Sequence, residues 1–280
     1  MAYQTILTHL SNESVSESVL AAATLLAERH AAHLVGLHIK PPLDLYVGGI
    51  VPSPIDFTNQ LSARQNVLEE ALKTKFETAC KYLTSVSEWR SIDAGLTSVV
   101  DTLVQHGNSS DLLLLSKTEG DAVNAYFRNL AEHVLTACGR PVLIIPNEDP
   151  VLSIGERVFV AWDGRRESTR AVFGALPMLR RASIVRLHRV NQAHPDRHRV
   201  VGITEELANT LARHGVSVEV CHSDAHTIEI ADELMGYAND MEADVMVMGC
   251  FGHSPWREFI LGGTTRRLLE NSTLPLLMSN

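Results

Sequence analysis

The feature that most constrains the fold is an internal repeat, because the chain carries one strand–helix–strand pattern twice. Residues 4–39 contain the apolar run QTILTHL, an Ala- and Leu-rich segment over 14–30 and the run HLVGLHI. Residues 157–190 repeat this order with RVFVAWD, ESTRAVFGALPMLRR and SIVRLHRV. The second strands share a Leu-His pair, and we align positions 37–38 with positions 187–188. A repeat of this kind predicts two copies of one structural unit.

The ends of the two halves also match. Asp111 opens the apolar run DLLLL, and Asp244 opens the run DVMVM. In both halves a loop, a helix and a last apolar run follow, and these runs end at Ile145 and Met278. Each half therefore alternates five strands with four helices.

Short, almost wholly apolar runs separated by helices are typical of strands that are buried on both faces of a parallel sheet. The fold class is therefore α/β, as two tandem five-stranded parallel-sheet α/β/α domains of the Rossmann-like kind. The boundary is predicted in the polar, proline-flanked segment 146–150. The expected domains are residues 1–146 and residues 151–280.

The last strand of each half is expected to seek a partner. Val142–Ile145 and Leu276–Met278 are short, apolar and last in their sheets, and an unpaired edge of this kind favours strand pairing. We expect intramolecular pairing of the two domains through these strands, as a pseudo-dimer. A homodimer of two chains is the alternative.

Composition and charge exclude several partners. The net charge is −9, which argues against non-specific nucleic-acid binding because that requires a basic surface. No apolar run approaches the roughly 20 residues that a membrane span requires. The N-terminus does not resemble a signal peptide, and the four cysteines form no CxxC pair. We therefore expect a cytoplasmic protein with reduced thiols.

The segment that most indicates function follows the strand ending at Met248 and leads into a helix near Thr264. It contains four glycines, Gly249, Gly252, Gly262 and Gly263. Glycines let backbone approach a ligand closely or adopt positive φ, and the helix N-terminus attracts anions. The segment therefore predicts a phosphate site, with Thr264 as a hydroxyl donor or N-cap. His253 could contact a phosphate or ribose, or face solvent; tight turns alone are the other interpretation of the glycines.

The spacing Gly249-x2-Gly252-x9-Gly262 resembles the G-x2-G-x9-G-(S/T) signature of nucleotide-binding universal stress proteins. The resemblance covers the whole chain as two copies, but the signature is present only in the second. It implies a five-stranded parallel α/β fold that binds ATP or a related adenine nucleotide and often dimerises. This chain departs from the signature at Gly263, which stands where the family has Ser or Thr.

The resemblance also implies roles for the strand ends. In the family an Asp ending the first strand contacts adenosine, and that position matches Asp163. The end of the second strand contacts the base; Arg189 stands where the family more often has valine. The nucleotide contacts implied at the strand ends are Ala161, Trp162, Asp163, Arg189, Val190 and Met248.

The first half lacks the same features. The loop alignment places Ser116, Glu119 and Arg128 where the glycines stand in the second half. It places Leu10 where the second half has Asp163. We interpret the first domain as degenerate, with a structural or pairing role or another ligand.

The sequence favours a binding protein over an enzyme. Residues 151–280 contain no lysine, so a Walker-type phosphate loop is excluded. No nucleophile, base and orienting residue stand out. We interpret the chain as a cytosolic ATP-binding sensor or regulator of a stress response, with or without Mg²⁺. The alternatives are a slow ATPase, a nucleotide-dependent transferase and a scaffold that binds no nucleotide.

Overall fold

The computed structural model describes residues 2–42, 54–117, 130–147, 151–191, 197–224, 230–252 and 263–280. The elements of the first half are β1 (Thr5–His9), α1 (Glu13–His30), β2 (His33–Lys40), α2 (Pro54–Cys80), β3 (Ser87–Asp93), α3 (Val99–Gly107), β4 (Leu112–Ser116), α4 (Leu130–Ala137) and β5 (Val142–Ile145). The elements of the second half are β6 (Arg157–Ala161), α5 (Arg166–Gly174), α6 (Leu176–Leu179), β7 (Ile184–Asn191), α7 (Arg197–Arg213), β8 (Glu219–Asp224), α8 (Ile230–Asp240), β9 (Val245–Gly249), α9 (Gly263–Asn271) and β10 (Leu276–Ser279).

The described strands form one ten-stranded sheet in the order β3-β2-β1-β4-β5-β10-β9-β6-β7-β8. Neighbouring strands are parallel within each half. β5 and β10 meet antiparallel at the centre, where Leu143 pairs with Leu277. The predicted α/β class, with two five-stranded parallel halves, is confirmed. The halves share one continuous sheet.

An aspartate at equivalent positions of the two halves binds the start of the first strand. Asp111, which precedes β4, accepts hydrogen bonds from the backbone N–H groups of Gln4 and Thr5 at 2.8 and 3.0 Å. Asp244, which precedes β9, accepts from the backbone N–H groups at 155–157 at distances of 2.9 to 3.1 Å. These carboxylates accept hydrogen bonds from backbone N–H groups at the start of the first strand of each half. They therefore hold that strand beside the fourth strand of the same half.

The register corrects the alignment of the second strands. Ile6 pairs with Leu34, and its counterpart Val158 pairs with Val185. Counting along the strands places Arg189, not His188, at the position of His38. The sequence alignment of the two Leu-His pairs was therefore wrong by one residue. In a strand a shift of one residue turns a side chain to the other face of the sheet, so the shared letters do not share an environment.

Helices cover both faces of the sheet, and the core lies in two apolar layers. One layer joins α1 and α2 to α5 and α6 across both halves, and Ile6, Phe76 and Met178 belong to it. The other layer lies beneath α3, α4, α8 and α9. Arg29 also ties the halves together, because it donates to the carbonyl of Ile154 at 3.0 Å and pairs with Glu156 at 2.8 Å. None of the helices in the described ranges has the length and apolar character needed to cross a membrane.

Candidate functional site

Three neighbouring strands of the second half end at one edge of the sheet. Gly249 ends β9, Asp163 lies just beyond β6, and Arg189 lies two residues before the end of β7. Ligands bind at the carboxyl ends of strands in open α/β sheets. The structure therefore brings together the predicted residues from three separate stretches of sequence.

The carboxylate of Asp163 is held in one orientation. Its Oδ1 accepts a hydrogen bond from the Ser168 hydroxyl at 2.6 Å and from the Arg165 backbone N–H at 3.0 Å. Its Oδ2 lies 3.6 Å from Nε of Arg165. The side chain is 55% exposed, so a positioned acceptor faces the edge of the sheet. The role of Ser168 was not predicted from the sequence. A serine in the first turn of the helix, five residues after the aspartate, is the pattern that could have indicated this hydrogen bond.

The end of β9 presses directly against the first turn of α5. A Cβ added to Gly249 would lie 2.6 Å from the carbonyl carbon of Glu167 and closer still to the backbone nitrogen of Ser168. Since real side chains do not make such contacts with backbone, only glycine fits here. This close approach places the β9 loop beside a helix N-terminus.

The helix N-terminus at this point is that of α5. Arg165 is its N-cap residue, and the Arg165 side chain makes no capping hydrogen bond. The first backbone N–H groups of a helix lack partners within the helix, and its dipole favours anions there. The sequence prediction named the helix near Thr264 for this role. α9 begins at Gly263, which is exposed, while Thr264 is half-buried.

Gly252 lies farther along the same loop and is exposed. A Cβ here would lie 3.0 Å from Oε2 of Glu167, which is the flexible end of a side chain. Among the described residues of the loop, positive φ belongs to Phe251, at +57°, and not to Gly249, Gly252 or Gly263. The expectation that positive φ explains these glycines is therefore wrong; close approach of the backbone explains Gly249.

Glu167 brings a negative charge to the loop. Its side chain is only 13% exposed and forms an ion pair with Nε of Arg166 at 3.1 Å. Burial, and then the charge of Glu167, raise the pKa of the Cys250 thiol well above its usual range. Cys250 is therefore a neutral core residue, and a ligand phosphate at this loop needs a counter-charge against Glu167.

Arg189 lies over the indole ring of Trp162, with its guanidinium carbon 5.4 Å from the ring centroid. Trp162 is itself buried, and its Nε1 donates to the Thr169 hydroxyl at 3.4 Å. Burial lowers the pKa of Arg189, and the nearby carboxylate of Asp163 opposes that shift. Gly164 has φ of +81°, and a Cβ there would lie 3.0 Å from Nη1 of Arg189. The absence of a side chain at Gly164 therefore leaves the space that the guanidinium of Arg189 occupies.

The remaining predicted residues differ in placement. Ala161 and Val190 are half-buried at the ends of β6 and β7, and Met248 is buried within β9. His253 and Gly262 lie outside the described residues, so their predicted roles stay predictions.

The first half holds different residues at the equivalent edge. Ser116 takes the place of Gly249, as predicted. The place of Asp163 belongs to Ser11, which is buried, and the prediction of Leu10 there is wrong. The cause is a one-residue shift in the alignment of the first strands, which set QTILTHL against RVFVAWD. Glu119 and Arg128 lie outside the described residues.

No metal cluster accompanies these groups in the part of the chain that the structure describes, where no three His, Cys, Asp or Glu side chains converge to hold an ion. Structural zinc sites use four such ligands. Magnesium bound through one or two carboxylates and ligand phosphates requires no such cluster.

Comparison with known proteins agrees with this architecture. A solved universal stress protein from Archaeoglobus fulgidus DSM 4304 has a TM-score of 0.71 at 15% identity, covering 98% of each chain. A functionally unknown protein from Pseudomonas aeruginosa PAO1 has a TM-score of 0.60 at 15% identity, covering 99% of this chain and 92% of its own. At these identities the likeness shows the fold alone.

One curated relative and one family model match the sequence. A universal stress protein of Synechocystis is 23% identical over 189 residues, which are 64% of this chain and 61% of that protein. This chain thus matches less than two thirds of that relative's length. Residues 156–280 match the family model described as Universal stress protein family. The second half of the chain is therefore similar to the universal stress protein family, and the whole chain shares the fold of a solved universal stress protein.

Proposed function

We propose that the second half binds an adenine nucleotide, ATP in the first place, and that the chain acts as a cytosolic sensor or regulator in a stress response. The observation that carries this proposal is the contact of Gly249 with the first turn of α5, where a Cβ would meet backbone. This contact brings the β9 loop beside the N–H groups of the first turn of α5, next to the oriented carboxylate of Asp163. A nucleotide needs both features, because its phosphates accept hydrogen bonds and its ribose hydroxyls donate them.

The phosphates would lie against the β9 loop and the N-terminus of α5. The uncapped backbone donors of that turn supply hydrogen bonds, and the helix dipole favours the anion. Arg165 and Arg166 add positive charge on the exposed side. The second half contains no lysine, so its arginines supply the positive charge here.

The adenosine end would lie across β6 toward β7. Asp163 presents an acceptor to ribose hydroxyls or to the base amino group, since Ser168 and Arg165 already fix its orientation. Strands are about 4.8 Å apart, so the step from β9 to β7 spans roughly 10 Å. That distance suits a nucleotide with its phosphates at Gly249 and its base near Arg189 and Val190.

Magnesium would accompany the nucleotide. Glu167 lies beside Gly252 with little exposure, and its charge repels phosphate. Mg²⁺ is commonly bound by one or two carboxylates together with substrate phosphates. Glu167 would thus become a metal ligand or a close neighbour of the metal.

The first half, residues 1–146, would serve as a degenerate partner of the nucleotide-binding domain at 151–280. The antiparallel contact of β5 with β10 supports intramolecular pairing, because it places both final strands in one sheet. Ser11 and Ser116 replace the carboxylate and the first glycine, so we propose one nucleotide per chain.

Native mass spectrometry of the gently purified chain, followed by calorimetric titration with MgATP, tests this proposal. We expect one nucleotide per chain, and Asp163→Ala should weaken binding at least about tenfold. The matched control is Asp240→Ala, on α8, which should leave the affinity unchanged. Absence of binding in the folded protein, or two equivalent sites, would refute the proposal. A phosphate-release assay then tests whether bound ATP is hydrolysed.

A further inference from the structure

Tyr3 makes a hydrogen bond that crosses from the first half of the chain to the second. Its side chain is buried, and Oη donates a hydrogen bond to the carbonyl of Gly174 at 3.0 Å. The ring packs on the ring of His30, with the two centroids 4.8 Å apart. Burial raises the pKa of the Tyr3 phenol well above its ordinary value, so the group keeps the proton that it donates.

The carbonyl that Tyr3 reaches belongs to the last residue of α5. A helix leaves its final carbonyls without partners inside the helix. Pro177 has no N–H group to offer, and the N–H of Met178 donates to a different carbonyl at 2.8 Å. Gly174 also packs closely on the first half, because a Cβ there would lie 3.2 Å from Cβ and Cγ of Pro141. The first half therefore holds the C-terminal end of α5.

The internal repeat shows that the two halves differ at this contact. Counting back along the first strands makes Gly155 the counterpart of Tyr3. Gly155 has no side chain, so the second half cannot hold α1 from the equivalent position. α1 also runs unbroken from Glu13 to His30, whereas α5 ends at Gly174. At this position the helix beside the proposed nucleotide site is held by the other half, and its counterpart is not.

α5 is short enough to connect this contact with the site. Its nine residues span about 13 Å. At the N-terminal end, the Ser168 hydroxyl donates to the carboxylate of Asp163 at 2.6 Å, and the backbone at 167–168 lies against Gly249. Gly174 lies at the C-terminal end. Because the hydrogen bonds of a helix tie its backbone together, a shift at one end of so short a helix moves the other end.

We propose that the hydrogen bond from Tyr3 to Gly174 couples nucleotide binding in the second half to the first half, which thereby responds to the bound nucleotide. The inference rests on the nucleotide binding proposed above and adds a route of regulation. A nucleotide that binds at the first turn of α5 fixes the helix, and the fixed helix strengthens the contact with Tyr3. Coupling between two sites is reciprocal, so the contact with Tyr3 also favours nucleotide binding.

Fluorine NMR of the full chain tests whether the contact responds to the nucleotide. The five tyrosines are replaced by 3-fluorotyrosine, and spectra of Tyr3→Phe and Tyr82→Phe identify the resonances of these two residues. Saturating MgATP should shift the Tyr3 resonance, while that of Tyr82, which is 85% exposed, stays in place. A Tyr3 resonance that does not move at saturation would overturn the inference while nucleotide binding stands.

Calorimetric titration with MgATP tests the reciprocal effect. Tyr3→Phe keeps the ring and removes the donor, so ATP should bind at least about fivefold more weakly. Ser110→Ala is the matched control, because the buried Ser110 hydroxyl donates at 2.8 Å to Gly107, the last residue of α3, within the first half. Ser110→Ala should keep the wild-type affinity.

A second variant changes the contact from the other side. Gly174→Ala places a Cβ 3.2 Å from Pro141 and displaces the end of α5, so it should weaken ATP binding by a similar factor. Circular dichroism confirms that each variant is folded. If Tyr3→Phe and Gly174→Ala bind ATP as wild type does, the coupling is absent while nucleotide binding stands. If the folded wild type binds no MgATP, the proposed function itself fails.

Discussion

Leu143 and Leu277 pair across β5 and β10, at the centre of the antiparallel contact that turns two parallel sheets into one. Both side chains are fully buried. Their place in the sheet means that the two halves share core packing at this contact. The stability of one half should therefore depend on the other.

A double-mutant cycle tests this dependence. Leu143→Ala and Leu277→Ala should each lower the free energy of unfolding by about 2–5 kcal/mol, as buried leucines do. Because the residues are in contact, the double variant should depart from additivity by about 0.5 kcal/mol or more. Leu34→Ala combined with Leu277→Ala is the control, since these buried side chains lie on separated strands. Full additivity of the Leu143 and Leu277 changes would show that this contact does not couple the stability of the two halves.

The Gly252→Val change tests the phosphate loop. The added Cβ would meet the flexible side chains of Glu167 and Arg165 and no backbone within 4 Å, so the chain should still fold. The branched side chain would block close approach of phosphates, so ATP affinity should fall at least about tenfold while adenosine affinity changes little. Gly202→Val, where nothing lies within 4 Å of the new Cβ, is the control. Equal losses for ATP and adenosine would indicate general damage to the site, and an unchanged ATP affinity would remove the loop from the binding surface.

The carboxylate of Glu167 should make ATP binding depend on magnesium. We expect removal of Mg²⁺ with EDTA to weaken ATP binding to wild type about tenfold. Glu167→Gln removes the repulsion and the metal contact together, so the difference with and without Mg²⁺ should fall below about threefold. Glu205→Gln, at an exposed position of α7, should keep the wild-type difference. A full magnesium effect in Glu167→Gln would show that this carboxylate does not face the metal.

The sequence predicted the fold because repeated apolar runs and helices follow from local patterns. It could not predict the register of the second strands, because the two Leu-His pairs look alike while His38 and His188 face opposite sides of the sheet. Nor did it predict that α5 turns its N-terminus toward Gly249. That contact depends on the packing of β9 against a helix eighty residues earlier in the chain, and a local pattern carries no information about it.

Two buried histidines should make the protein less stable in acid. Burial is the main factor that lowers the pKa of His30 and of His188 to about 4, from an ordinary value of 6.5. Between these values the native histidines stay neutral while those of the unfolded chain are charged, so the unfolded chain binds more protons. The stability that these two neutral histidines contribute is therefore fully present above pH 6.5 and is lost as the pH falls toward 4.

Replacing His30 should reduce this acid sensitivity. The His30 ring packs on Tyr3 at 4.8 Å, and neither ring nitrogen has a hydrogen-bond partner among the described residues. The cations Arg29 and Arg181 lie beside it and further disfavour the charged form. His30→Phe keeps an aromatic ring, so the slope of unfolding free energy between pH 4.5 and 6 should fall by up to about 1.4 kcal/mol per pH unit. Urea titrations across this range measure the slope, with His133→Gln, an exposed site on α4, as control. A slope for His30→Phe equal to that of wild type would mean that His30 takes up its proton without unfolding the chain.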